Sequence, residues 1–460
     1  MGARNQAASQ QVNLNSVNMQ PRFFFGLKGD VNNNVIYLDD NIVCYPCGHN
    51  VVIYYMTEKM QRFIPGIEGS QGITALAVSP SKKFLAVCEK GTNAICTVYN
   101  IGKFLELSVE KKQQSIFDVP IKKRKILCSN EDQAKEFVSA DFCAKNEKYL
   151  VTISAKSEAR VTIWNWDKQR CIGSLEMIPD ITKNQTIEQV SFSPNDQNVV
   201  VVTGVKFYRY IKLEGPVLKP LPIVITKREA EAHYSDNYTC HSWLADGRFI
   251  ICNDHGQIFL LGADGEYKGF TVSDPRKEFF PIHSVTTFNG VTAENTGGPA
   301  AAQGKTGGAG KSGFIVAGDS GRLRVFVKSD VDPKKPYIRV DTTDDLIPTQ
   351  VRDDNPVSQM VYQDIDIHKI TSLTLSPNED TIVFTTSSGQ LIKVMIDLGR
   401  PNEGQKYEHL ISSFHSKQIH GLDVCVKKEL VATCSSDRTV RLWSYTAGNM
   451  FQSELCYTSE

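Results

Sequence analysis

A strand, a Ser-Pro turn and a second apolar strand recur along this chain, and that recurrence limits what it can fold into. The clearest copies are ITALAVSPSKKFLAV, EQVSFSPNDQNVVVV and ITSLTLSPNEDTIVF, beginning at Ile73, Glu188 and Ile370. Looser copies are EFVSADFCAKNEKYLVTI, YTCHSWLADGRFIIC and GLDVCVKKELVATC, and small-residue turns lead on to third strands such as VTIWNW, QIFLLG and TVRLWSY. The apolar residues alternate or run in short β-branched blocks ended by Gly, Asn, Asp, Ser or Pro, which is the chemistry of strands and tight turns. One antiparallel blade cannot bury both of its faces, so successive copies must stack and close around an axis. The chain is predicted to be all-β, a β-propeller.

The last copy carries side chains of a known repeat. HSKQIHGLDVCVKKELVATCSSDRTVRLWSY, residues 415–445, resembles the WD-repeat pattern nearly position by position. His415 falls in the loop leading into the blade, Asp437 in the tight turn, and Trp443 at the close of the third strand. The resemblance implies that they join a hydroxyl of the second strand, Thr433 or Ser435, in a network inside the blade. A buried Asp is costly unless donors satisfy it, which is the physical reason for such a network. Among the other copies only Trp164 holds the Trp place, and most lack both His and Asp.

Units are placed near residues 35–64, 70–100, 135–172, 186–214, 233–270, 281–328, 368–398 and 415–446. Seven make a closed ring over residues 21–408, and the eighth, in 409–460, is then the first unit of a second, truncated propeller. A single eight-bladed ring is the alternative. Seven plus one is preferred because the eighth unit is far closer to the motif than its predecessors.

Composition narrows the function classes. Among 460 residues, 51 Lys and Arg balance 51 Asp and Glu, so no global field draws the chain to nucleic acid or an anionic membrane. No apolar run approaches the roughly 18 residues that a spanning helix needs. Residues 1–20 are Gln/Asn-rich, read as a disordered leader without the apolar stretch of a signal peptide, and Gln6 stands where myristoylation wants Ser or Thr. Twelve cysteines in such a chain read as reduced, mostly buried thiols.

Several constellations invite chemistry and are read as structural. GGAGKS at 307–312 imitates a phosphate loop, but Lys305 stands where its first Gly belongs, and the following GFIVAG reads as a strand rather than a helix. The run 289–313 is taken as a flexible Gly-rich insertion. Cys44, Cys47 and His49 form C-x-x-C-x-H without a second pair at zinc-finger spacing. His233, His283, His368 and His415 fall at unit starts, and His241 within a strand, satisfied by a neighbour. Asp341, Asp344, Asp345, Asp353 and Asp354 read as a solvated connection. The basic run Lys122, Lys123, Arg124 and Lys125 is placed in a loop between units two and three, a candidate contact for an acidic surface. No catalytic residue, metal site or cofactor is expected.

From about Phe25 onward the chain resembles the cilia- and flagella-associated protein 57 family, WD-repeat proteins of motile cilia. The segments that carry this are NNNVIYLDDNIVCYPCGHNVVIYYMTEKMQRFIPG, SQGITALAVSPSKKFLAV, KRKIL, EQVSFSPND, ITSLTLSPNEDTIVF and LVATCSSDRTVRLWSY, with QRFIPG at 61–66 the most specific. The resemblance implies a non-enzymatic scaffold of the ciliary axoneme. Implied partners are inner dynein arms, the dynein regulatory complex and the doublet microtubule surface, with no small-molecule substrate, nucleic acid or membrane. A WD-repeat adaptor or substrate receptor in a soluble complex, such as a ubiquitin ligase, is the competing expectation, because one fold hosts many functions.

Overall fold

The computed structural model describes residues 23–102, 105, 122–128, 134–154, 159–177, 186–221, 237–262, 267–271, 280–290, 312–332, 336–340, 369–387, 389–396, 407–411, 415, 417–436, 438–444 and 452–458. Their strands form eight four-stranded antiparallel sheets, spanning 36–65, 72–128, 137–176, 186–220, 238–271, 282–339, 370–411 and 419–458. Within each sheet the strands follow chain order, as hairpin connections dictate.

Buried side chains explain why the sheets stack as they do. Along the second strand of sheet four, Val200 and Val202 enter a core shared with sheet three, whereas Val201 enters one shared with sheet five. Alternate residues of a strand point to opposite faces, so an unbroken apolar run is what a sheet covered on both sides requires. Six such cores link sheets one to seven in succession. A seventh returns from Val383, Leu391, Leu410 and Ile411 of sheet seven to Tyr37, Val43 and Tyr45 of sheet one. Seven blades therefore close the ring, with first strands innermost and neighbouring one another around the axis.

Sheet eight stands outside that circle. Its first strand, Ile419–Val424, is largely exposed, with Leu422 at 66% and Ile419 at 50%. Trp443 nevertheless joins the core between sheets seven and one. The 408/409 division needs correction: strand Tyr407–Ile411 crosses it and belongs to sheet seven.

Two local devices repeat. The Ser of each Ser-Pro turn folds back on its own hairpin: Ser79 Oγ accepts Phe84 N–H at 3.1 Å, and Ser376 Oγ accepts Thr381 N–H at 3.0 Å. The second device was not anticipated. In sheets two to eight the first strand carries a bulge at its second or third residue, leaving Thr74, Val138, Glu188, Thr239, His283, Thr371 and His420 without a cross-strand partner. A bulge bends its strand and re-aims the extra side chain. Two glycines accommodate the bend. A Cβ on Gly318 would fall 1.9 Å from Pro281 O, and one on Gly204 2.0 Å from Thr186 O.

The segment before sheet one straps the bulged end of the ring. Phe24 N–H donates to Gln61 Oε1 at 2.9 Å, Lys28 Nζ to Ile73 O at 2.6 Å, and Asn32 Nδ2 to Glu188 Oε2 at 3.3 Å. Asn34 Oδ1 accepts the Thr385 hydroxyl at 3.0 Å, so one short stretch touches sheets one, two, four and seven. The leader 1–20 lies outside the described residues.

Candidate functional site

The side chains of sheet eight meet through one hydroxyl. Thr433 faces Arg441 in register and Val431 faces Trp443, which puts Thr433 and Trp443 two residues apart on one face. Trp443 Nε1 donates to Thr433 Oγ1 at 2.7 Å, and His415 Nε2 lies 2.7 Å from the same oxygen. His415 Nδ1 is 2.9 Å from Thr439 Oγ1. A hydroxyl both donates and accepts, so Thr433 serves the indole and the imidazole together. Ser435, the alternative hydroxyl, donates instead to Lys417 O at 3.1 Å. Asp437 lies outside the described residues. In sheet three, Trp164 Nε1 donates to Thr152 Oγ1 at 2.9 Å with the same relative placement.

The same arrangement of indole, hydroxyl, imidazole and second hydroxyl recurs between sheets four and five. Trp243 Nε1 donates to Ser191 Oγ at 2.8 Å, and that oxygen is 2.6 Å from His241 Nε2. His241 Nδ1 is 2.7 Å from Thr203 Oγ1. Gln189 grips the His241 backbone, accepting its N–H at 3.0 Å and donating to its carbonyl at 3.2 Å. Burial pushes the imidazole pKa down to about 3 and keeps it neutral. Ser191 and His241 are spacers in a closed polar chain, braced on both sides. Sequence reading expected a satisfied His241 but missed Ser191, Thr203 and Gln189, which lie 38–52 residues away with no motif linking them.

This network forms part of the wall of a central cavity of about 370 Å³. Asn32, Ala75, Lys82, Asp141, Glu188 and His241 are among its lining residues, contributed by sheets one to five and the strap. Asp141 accepts Phe192 N–H at 2.9 Å, and burial pushes its carboxyl up to about 7 against the backbone hydrogen bonds that lower it. Lys82 Nζ donates to Tyr37 O at 3.1 Å. The polar groups here mainly join one blade to the next.

Other sequence candidates disperse or move. Cys44 and Cys47 share strand Ile42–Cys47, three residues apart, and so enter different cores on opposite faces. Burial pushes their thiols up to about 12 and about 11, away from the thiolate form that a metal binds. GFIVAG is indeed a strand, Gly313–Gly318, wholly buried in sheet six. Residues 291–311 lie outside the described residues, as do His233, His368 and Asp341, Asp344, Asp345, Asp353 and Asp354. His283, at a unit start, is the bulged residue of sheet six. Its Nε2 is 2.5 Å from Asp319 Oδ1, while Lys369 Nζ donates to Asp319 Oδ2 at 2.6 Å. Asp319 occupies the tight turn of sheet six, as Asp437 does in the sequence of sheet eight.

The basic run requires a correction. Lys122, Lys123, Arg124 and Lys125 do not form a loop but open strand Lys122–Cys128, the fourth strand of sheet two, with Lys122 opposite Asn100. Four consecutive charges hide strand alternation, and a lysine-rich edge strand is one way proteins keep sheet edges from pairing.

The family described as WD domain, G-beta repeat matches residues 408–444. The chain is 29% identical over 460 residues to cilia- and flagella-associated protein 57 of Mus musculus, an alignment covering 95% of this chain and 34% of the relative. It is 28% identical to cilia- and flagella-associated protein 57 A of Tetrahymena thermophila, covering 94% of this chain and 33% of the relative. The chain thus spans about a third of these relatives. Among solved structures it resembles the β-propeller domain of Cps50 (Swd1) from Myceliophteria thermophila, at 11% identity and TM-score 0.48, covering 81% of this chain and 97% of that one.

Proposed function

We propose that this chain is a non-enzymatic scaffold of the motile-cilium axoneme, helping to assemble or anchor inner dynein arms and their regulatory complexes on doublet microtubules. The observation that carries the reading is similarity to ciliary and flagellar proteins through the whole ring, not through one repeat alone. The names of those relatives point to a ciliary or flagellar setting. A rigid disc with turns and loops at two ends suits simultaneous docking of several partners. A multi-contact component of a lattice should also resist mild salt that strips charge-only binders.

Sheet eight is read as the first blade of a second propeller. Its exposed Ile419, Leu422 and Val424 correspond in position to first strands that neighbouring blades cover in the ring. The blade network of His415, Thr433, Asp437 and Trp443 is read as structural, holding that blade together.

The test uses detergent-extracted cilia. The protein should remain with the axoneme, and its loss should deplete particular inner-arm dyneins and alter waveform or beat frequency. Complete release with detergent and unchanged dynein content would overturn the axonemal reading.

A further inference from the structure

At the end of the ring that carries the Ser-Pro turns, sheets two and three gather cations around one aromatic contact. The rings of Phe84 and Trp166 lie 4.8 Å apart across the boundary between these sheets. Lys83 precedes Phe84, and its carbonyl accepts Ile101 N–H at 2.8 Å. The Lys148 carbonyl accepts Trp166 N–H at 3.1 Å, and Lys168 N–H donates to Asn165 Oδ1 at 3.1 Å in the turn that follows. Lys145 shares its turn with Lys148, and Arg170 begins the next strand. All five of these basic side chains are exposed, and none is in a salt bridge among the described residues. Strand Lys122–Cys128 starts at this same end, because Lys122 faces Asn100, one residue before Ile101.

Within these turns basic residues outnumber acids among the described residues. The turns at 79–83, 143–148 and 166–170 contain two carboxylates, Glu147 and Asp167. Glu147 Oε1 is taken up by Ser81 N–H at 2.5 Å. Other acidic residues at this end lie outside the turns of sheets two and three, as Asp39, Asp40, Asp196, Glu214, Asp246, Glu379 and Asp380. The described turns of sheets two and three are therefore locally basic on a neutral chain. Screening limits such a field to about 8–10 Å, so it acts on whatever lies directly against it.

We propose that the turn end of sheets two and three is a docking surface for an acidic polypeptide segment of a protein partner. This rests on the scaffold reading and adds the position and charge of one contact. Nucleic acid fits less well, since Trp166 is buried and Phe84 half-buried, leaving no exposed ring on which bases stack. A lipid surface also fits less well, because none of the exposed large apolar side chains among the described residues lies in this patch.

The test measures fluorescence anisotropy of a labelled peptide of about a dozen glutamates on the intact chain, in roughly 50 mM salt, where surface charge is little screened. The triple variant Lys83→Glu, Lys148→Glu and Lys168→Glu should bind at least about tenfold more weakly, with an unchanged thermal transition. A control with the same change in net charge, Lys135→Glu, Lys417→Glu and Lys427→Glu, should stay within about twofold. Equal losses in both variants would overturn the proposal, as would tighter binding at this patch of a single-stranded oligonucleotide or of phosphatidylserine vesicles. Retention in extracted axonemes is read separately, so failure here is distinguishable from failure of the scaffold reading.

Discussion

The ring of Phe25 lies 4.9 Å from the ring of Trp443, centroid to centroid and tilted by 54°. The strap thus reaches a blade more than four hundred residues away in sequence. Phe24 and Phe25 both pack on the core that joins sheets seven and one, and sheet eight enters it through Trp443, with Val431 packed alongside. Among the described residues sheet eight is anchored by Trp443 and Val431 and left open along its first strand.

Replacing Phe25 with Ala should therefore release sheet eight without opening the ring. Amides of Leu430–Ser435 should exchange faster with deuterium, whereas those of Tyr149–Ser154 and Val199–Val205 should keep their protection. Truncating a half-buried aromatic side chain costs about 1–3 kcal/mol. Uniform loss of protection in all sheets would show that the strap holds the ring itself.

The blade network predicts unequal effects from one substitution. Thr433→Val removes a hydroxyl bound to both Trp443 and His415, whereas Thr152→Val removes one bound to Trp164. Each polar group left unsatisfied costs about 1–3 kcal/mol, so unfolding of sheet eight should respond more strongly than that of sheet three. Local stabilities from hydrogen exchange of the two second strands compare them directly.

His241 predicts an acid-sensitive boundary between sheets four and five. Burial lowers its folded-state pKa to about 3 from 6.5, so the folded protein favours the neutral ring. This contribution is fully present above pH 6.5 and is lost as pH falls through the window down to about 3, by up to about 1.4 kcal/mol per pH unit. Labelled-histidine resonances should show a neutral ring at pH 5, and His241→Gln should flatten that part of the stability profile. A ring titrating near 6.5 would contradict the closed polar chain.

Gly318→Ala should destabilise sheet six by about 2 kcal/mol or more, because backbone, not a flexible side chain, occupies the space of the new Cβ. Gly389→Ala provides the contrast. No atom lies within 4 Å of its Cβ position, but its φ of 74° makes a side chain there strained. Thermal unfolding of both variants would separate steric overlap from backbone strain.

Much of the architecture was legible because it rests on local chemistry. Alternation and β-branching marked the first three strands of each blade, Ser79 and Ser376 marked turns, and the last unit carried its own motif. The fourth strands were harder to see. Lys122–Cys128 opens with four charges, and Tyr337–Arg339 and Tyr407–Ile411 are short rim strands with few neighbours to impose alternation. Thr433 could be named as a network candidate because it lies in the same short repeat as Trp443.

By itself, then, the sequence determined the strands, their hairpin order and the need to stack, since each follows from residues within about forty positions of one another. Only the tertiary structure decided which blade closes on which. Val383 and Tyr37 share a core, and Thr385 reaches Asn34, across more than three hundred residues. It also decided that His241 would meet Ser191 and Thr203, and that Lys83, Lys148 and Lys168 would share one surface. Periodicity along a chain specifies which face of a strand is buried. What lies against that face depends on the closure of the ring, and no local spacing encodes it.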